Sequence, residues 1–340
     1  MIAVVAVVAV WVVLPATTRA DEGTIEVGGR VFARGEAVRF EGEETEAHGE
    51  IASARLEGKY EWHWLRAVIE IEFREGADLR DVYVRGANEL GRVQAGRFKE
   101  PVSAIEMESG WTLPMASRGQ LREVLTDQLG IAGRHPGLMG TWHGAPLDLR
   151  VSLGVFQGED IDGQELADAV RSAARVSIEV AKTEIGAYFE HRDSNPGGRI
   201  ERLWAAGLDA TVKVAGLRTW IDGMVGSSWE DAVVDADLAN FAMVRLIAAF
   251  RFLGDEVGDL YLEPFFSGGV LDPDLDVRAD LLTELAFGLN VGAWKRARLQ
   301  LEVERNDGRK NTPEQLEPRP LPSGEFEDRL AFLVQVGAAF

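Results

Sequence analysis

The chain has 340 residues, a net charge of −20 and no cysteine. Disulfides, cysteine nucleophiles and thiolate metal sites are therefore excluded, and so large an acidic excess disfavours nucleic acid as a partner. Hydrophobic residues make up 46% of the chain, so the informative question is how they are spaced.

Residues 1–14 (MIAVVAVVAVWVVL) are wholly apolar and are followed by Pro15 and a small-residue stretch to Ala20. Fourteen residues are too few for a membrane-spanning helix. They suit the apolar core of a secretory signal, with Thr18-Arg19-Ala20 as the cleavage region. Residues 1–20 are expected to be a signal peptide and 21–340 a single domain, with an N-terminal anchor as the alternative. No later stretch is apolar enough for a membrane helix, so a membrane form of this chain must cross with strands.

From residue 24 onward the chain repeats one unit: about ten alternating residues, then a turn or polar loop. Period two means a strand with one apolar face. In 51–60, Ala52, Ala54, Leu56, Gly58 and Tyr60 oppose Ser53, Arg55, Glu57 and Lys59. In 65–74, Leu65, Ala67, Ile69, Ile71 and Phe73 oppose Arg66, Glu70, Glu72 and Arg74. The same holds over 147–156, 243–252, 278–291 and 296–304. Seventeen candidate strands emerge, and those near 199–208 and 209–215 are expected to merge, giving the even number a bacterial barrel requires. Residues 36–47 read as an acidic turn and 161–169 as a helical loop. Residues 192–198, 224–240 and 306–326 read as loops. Residues 99–136 form the longest insertion, with a short helix within 117–129.

The polar parity carries full charges: Arg55, Arg66, Glu70, Glu72, Arg150, Arg245, Arg296 and Arg298 among them. An Arg or Lys facing hydrocarbon near the midplane costs about 2–4 kcal/mol. Several such penalties exceed the stability of an ordinary domain, so these side chains are expected to line a wet or self-paired interior. The fold expected is all-β, a transmembrane antiparallel barrel of about sixteen strands with a constriction loop folded inward. The five histidines are scattered, and no HExxH, GxSxG or glycine-rich phosphate loop occurs. No enzyme activity, metal or cofactor is expected.

The last strand, 327–340, puts Leu330, Phe332, Val334, Val336, Ala338 and the terminal Phe340 on one parity, a pattern that resembles the C-terminal strand of Gram-negative outer-membrane barrels. Upstream, residues 91–101 read GRVQAGRFKEP, followed by Val102, Ser103 and Glu106 and preceded by LRDVYV at 79–84. Residues 48–115 resemble the phosphate-selective porin O and P family, with a fainter match at 154–158. The family usually has Phe where this chain has Val102, and this chain is shorter and more acidic. The resemblance implies an outer-membrane porin, usually a homotrimer, that passes small hydrophilic solutes or ions, anions and phosphate included. It contacts outer-membrane lipid and performs no chemical step. Arg97, Lys99, Glu100, Arg118, Arg122 and Arg134, at the entry to and within the insertion, are the constriction candidates. The total charge favours cations and the family anions; local field outweighs distant charge because the Debye length is about 10 Å at 0.1 M salt. At most a weak anion preference is expected. A non-conducting barrel plugged by the 99–136 loop is the alternative.

Overall fold

The computed structural model describes residues 16–20, 23–40, 44–74, 76–145, 147–159, 165–194, 201–227, 240–254, 256–273, 275, 281–308 and 328–340. The apolar run 1–14, residues 161–164, and most of the expected loops 192–198, 224–240 and 306–326 lie outside them. A short strand β1 (Ala16–Ala20) precedes β2 (Gly23–Phe40), β3 (Glu46–Trp62), β4 (Leu65–Phe73), β5 (Ala77–Asn88) and β6 (Gly91–Lys99). After the insertion come β7 (Arg134–Gly144), β8 (Leu149–Glu159), β9 (Glu165–Val180), β10 (Thr183–Ser194), β11 (Glu201–Val214) and β12 (Leu217–Ser227). The chain closes with β13 (Asn240–Phe250), β14 (Leu260–Asp272), β15 (Leu282–Ala293), β16 (Ala297–Gly308) and β17 (Arg329–Ala339).

Each strand from β2 to β17 pairs antiparallel with the next, and β17 returns to pair with β2, from Arg329 opposite Phe40 to Ala339 opposite Arg30. Sixteen strands thus form a closed ring with no open edge, as hydrocarbon requires. Strand β1 pairs with the start of β2, Ala16 opposite Val27. The two segments near 199–208 and 209–215 do merge, into the single strand β11 (Glu201–Val214). Among the described residues no helix is long and apolar enough to cross a membrane.

One parity of each strand is exposed and apolar, as at Leu153, Val155, Phe287 and Phe332, while the opposite parity is buried. Three local expectations are corrected. Residues 36–40 continue β2 instead of turning, because Ala37 and Val38 pair with Phe332 and Ala331 of β17. Residues 165–169 belong to β9, not to a helix. A β-bulge reverses the parity expected at Ala52: Ala33 pairs with Ile51 and Phe32 with Ser53, leaving Ala52 over. Ile51 therefore faces out and Ala52 borders the lumen. A second bulge sits at Arg80, since Glu70 pairs with Asp81 and Ile71 with Leu79. Bulges re-aim side chains next to functional sites, and this one brings Arg80 to the lumen.

Inside the ring, the insertion packs against the wall. It contains α1 (Ala104–Met107), α2 (Gln120–Glu123) and a π turn at Val124–Gln128. Val102, Leu121, Val124, Leu125, Leu129 and Ile131 form one buried cluster with wall residues Met139, Phe156, Tyr188, Met224, Phe241 and Met243. Ile105, Leu113 and Met115 form another with Trp220, Ile247 and Phe265. Where β6 launches the loop, Gly96 sits at φ 129 and a Cβ there would lie 2.7 Å from Tyr83 Cα. Gly96→Ala is expected to destabilise the barrel by about 1–3 kcal/mol, seen as a lower unfolding midpoint in denaturant for the refolded protein.

Candidate functional site

The loop between Lys99 and Arg134 is bonded to the wall at every turn. Lys99 Nζ donates to the carbonyls of Glu106, Met107 and Glu108 at 2.7, 3.2 and 2.8 Å, folding the first turn back over β6. Ser103 caps α1 by accepting from the Glu106 N–H, and its Oγ donates to buried Asp222 at 2.7 Å. Asp209 accepts the Ala104 N–H at 3.1 Å. Arg298 and Asn290 donate to the carbonyls of Leu113 and Pro114, each at 2.8 Å. Glu302 accepts the Ala116 N–H at 2.6 Å, and Glu284 the Leu121 N–H at 3.1 Å. At the far end Glu190 accepts the Ala132 N–H at 3.0 Å. Arg171 ties both ends together, donating to Glu100 Oε1 and to the Gly130 carbonyl, each at 2.9 Å.

The loop also crosses to β2. Trp111 packs on Phe32 with ring centres 5.1 Å apart. Arg30 donates to Ser109 Oγ at 3.1 Å and Arg34 to the Ala116 carbonyl at 3.2 Å. Between the β2–β5 wall and the loop lies a cavity of about 810 Å³. Among the described residues eleven Lys and Arg side chains line it against seven Asp and Glu, the reverse of the chain's overall balance. Wall charges interlock: Arg55 bonds Glu70 and Glu72 at 3.1 and 2.8 Å, and Arg30 bonds Glu70 at 3.2 Å. Arg80 lies 3.0 Å from Glu72. Cations thus stand on both faces, the wall and the loop, and wall carboxylates sit between wall arginines.

On the loop face one buried carboxylate organises the arginines. Glu106 Oε1 accepts from Arg245 at 2.8 Å, and Oε2 accepts from Arg118 Nη1 at 3.2 Å and Arg122 Nε at 3.3 Å. Burial alone would raise its pKa, but Arg245, Arg118 and Arg122 overrule it and hold the carboxyl well below the ordinary carboxylate range. Burial pulls Arg118 down to about 10, against the attraction of Glu106. A depressed carboxylate contributes stability that is complete above its unfolded pKa and is lost as pH falls through the folded value. The contacts of Glu106 with Arg118, Arg122 and Arg245 are therefore expected to persist from pH 7 down to about 4, near the ordinary carboxylate value, and to loosen only below it, as read from the ionised carboxylate band of Glu106 in isotope-edited infrared spectra.

The structure brings Lys99, Glu100, Arg118, Arg122 and Arg134 to the cavity, with Arg55, Glu70, Glu72 and Arg298. Arg134 bonds Asp81 at 2.9 Å. Arg245 lies buried behind the loop. Arg66, paired with Glu61, and Arg150, 2.6 Å from Asp148 and 2.9 Å from Glu179, lie by the short turns, away from the cavity. Two expected positions are corrected. Arg296 occupies the exposed turn between β15 and β16, one residue short of the strand. Arg97 pairs with Val82 and Pro136 without a bulge, so it shares the outward parity of Val93 and Ala95 while Phe98 points in. Arg30, Arg34, Arg80, Arg171, Asp209 and Asp222 were not singled out by sequence reading. Their common signal is a charge on the inward parity of a strand, or, for Arg80, on a bulge.

An antiparallel sixteen-stranded ring, apolar outside, charged inside and narrowed by an inward loop, is the architecture of outer-membrane porins. Solved structures show the same fold. The anion-selective porin from Comamonas acidovorans aligns over 94% of this chain and 100% of its own, with TM-score 0.68 and 13% identity. The outer membrane channel DcaP of Acinetobacter baumannii aligns over 96% and 100%, with TM-score 0.65 and 11% identity. OmpT of Vibrio cholerae, an outer membrane protein solved in a trimer form, aligns over 94% and 100%, with TM-score 0.63 and 10% identity. At these identities the likeness is one of fold. No protein-family model matches the sequence, and no curated protein matches it.

Proposed function

We propose that this protein is an outer-membrane porin, a passive diffusion channel for small hydrophilic solutes that favours anions. One observation carries the anion preference. Arg122 and Arg134 line the cavity, and each gives its Nε hydrogen to a carboxylate, Glu106 and Asp81 respectively. Their terminal amino groups bond no other described side chain, so two planar forks remain for a passing anion. Such forks match carboxylate and phosphate geometry. Local field at the constriction decides selectivity, because the acidic remainder of the chain is screened beyond about 10 Å.

Phosphate as a favoured solute rests on the sequence resemblance to the phosphate-selective porins. Export by residues 1–20, a single barrel domain over 21–340 and assembly as a homotrimer in outer-membrane lipid belong to the same reading. No catalytic step is part of it, because sieving and field selection need none. Purified protein in planar bilayers is expected to give discrete conductance steps with an anion-selective reversal potential in a salt gradient. The apolar packing of the loop against half the wall favours the rival, a plugged barrel. Absence of steps would establish that rival.

A further inference from the structure

We propose that Glu106 is a positioning residue for permeation: this buried carboxylate strengthens anion preference by aiming the Arg122 fork into the cavity. The proposal rests on the anion-channel reading above. The three guanidinium groups around Glu106 are held very differently. Arg245 is bonded to Asp222 as well, at 2.9 Å. Arg118 also binds the carbonyls of Ile105, Glu106 and Glu108. Among the described residues the Arg122 guanidinium bonds Glu106 alone, through Nε.

The backbone beneath Arg122 is already fixed. Glu284 holds the Leu121 N–H, and Gly119, at φ 81, packs so tightly on that carboxylate that a side chain there would collide with it. What remains to be set is the direction of one long, flexible side chain, and Glu106 sets it. Glu106 itself is 6% exposed and surrounded by three cations. Its charge is neutralised from within, so a passing ion meets the fork and not the carboxylate.

This arrangement makes an acidic residue favour anions, and the sign of that effect is the test. Glu106→Gln removes a negative charge beside the passage. If Glu106 acted through its own field, anion preference would rise. If it aims Arg122, the anion-to-cation permeability ratio should fall by about threefold or more, with single-channel conductance little changed. Glu106→Gln should then add almost nothing in an Arg122→Gln background, since contacting residues couple in a double-mutant cycle.

A ratio that rises or stays at the wild-type value overturns the proposal. So does a conductance that grows several-fold, which would make Glu106 an anchor of the loop. Where Glu106→Gln fails to give folded barrels, Glu106→Asp serves: it keeps the charge but retracts it. Loss of selectivity there supports aiming, and wild-type selectivity refutes it. Failure of the underlying reading is seen separately, in wild-type protein that gives no steps or cation-selective ones.

Discussion

Arg171→Met is expected to undock the constriction loop and to cost the barrel about 3–5 kcal/mol, the penalty for stripping one partner from a buried ion pair. Arg171 is 4% exposed and binds the wall and both ends of the insertion. It donates to Glu100 where the loop begins, to the Gly130 carbonyl where it ends, and to Glu190 of β10 at 2.6 Å. Burial already pushes the Glu100 carboxyl upward, and Arg171 is the largest influence against that rise. Removing the guanidinium leaves Glu100 and Glu190 facing each other with the buried Arg192 as the remaining arginine beside them. Methionine fills much of the volume, so a cavity is not the cause of the effect.

The readout is twofold. The unfolding midpoint should drop, and single-channel conductance should become larger and noisier as the loop leaves the wall. Undocking is not complete, because Asp209, Asp222, Glu284 and Glu302 still hold the middle of the loop. A quiet channel of wild-type conductance would show that the remaining bonds and apolar packing suffice.

The barrel itself was legible because lipid and water impose opposite chemistries on alternate residues. Strands β13, β15 and β16 read cleanly for that reason: Val244, Leu285 and Leu299 face out while Arg245, Glu284 and Arg298 are buried. Reading failed where that rule is locally suspended. At Ala52 and Arg80 a bulge adds one residue and the parity changes, with no composition signal to mark it. At 36–40 acidity suggested a turn, yet long strands outlast the membrane and carry charge beyond it. Arg97 was readable, since Val93, Ala95 and Arg97 alternate with Gln94, Gly96 and Phe98; treating GRVQAGRFKEP as one block concealed the alternation.

The candidate site was less legible than the wall. Polar parity identifies which charges look inward but not which of them a loop will cover. Arg245 and Arg298 share parity with Arg55, yet the first is walled off by Glu106 and the second is bonded to loop carbonyls. Inward apolar residues such as Phe156, Met224 and Phe241 break the expected polar lining because the loop's own Leu121, Leu125 and Ile131 need a dry face to pack on. That requirement is tertiary, and period-two spacing carries no trace of it.

Reversing both open forks, Arg122→Glu with Arg134→Glu, is expected to turn the channel from anion-selective to cation-selective. The cavity is lined by eleven cationic and seven anionic side chains, so the double variant would balance the two signs at nine each and leave the acidic remainder of the chain to decide. In an effective dielectric of about 20, a unit charge about 8 Å away acts with about 2 kcal/mol before screening. Each reversal changes the local charge by two, so the permeability ratio should shift by at least tenfold in total, enough to change the sign of the reversal potential. The neutral pair Arg122→Gln with Arg134→Gln should fall midway. Both variants leave Arg171, Asp209, Asp222, Glu284 and Glu302 untouched, so the loop stays docked and conductance should remain within about a factor of two. Glu106 and Asp81 each lose a partner, but Arg245 and Arg118 still hold the former, whereas Asp81 stands at the cavity wall and can be hydrated. A reversal potential that keeps its sign would mean that the paired wall arginines, Arg30, Arg55 and Arg80, govern selectivity despite their carboxylate neighbours.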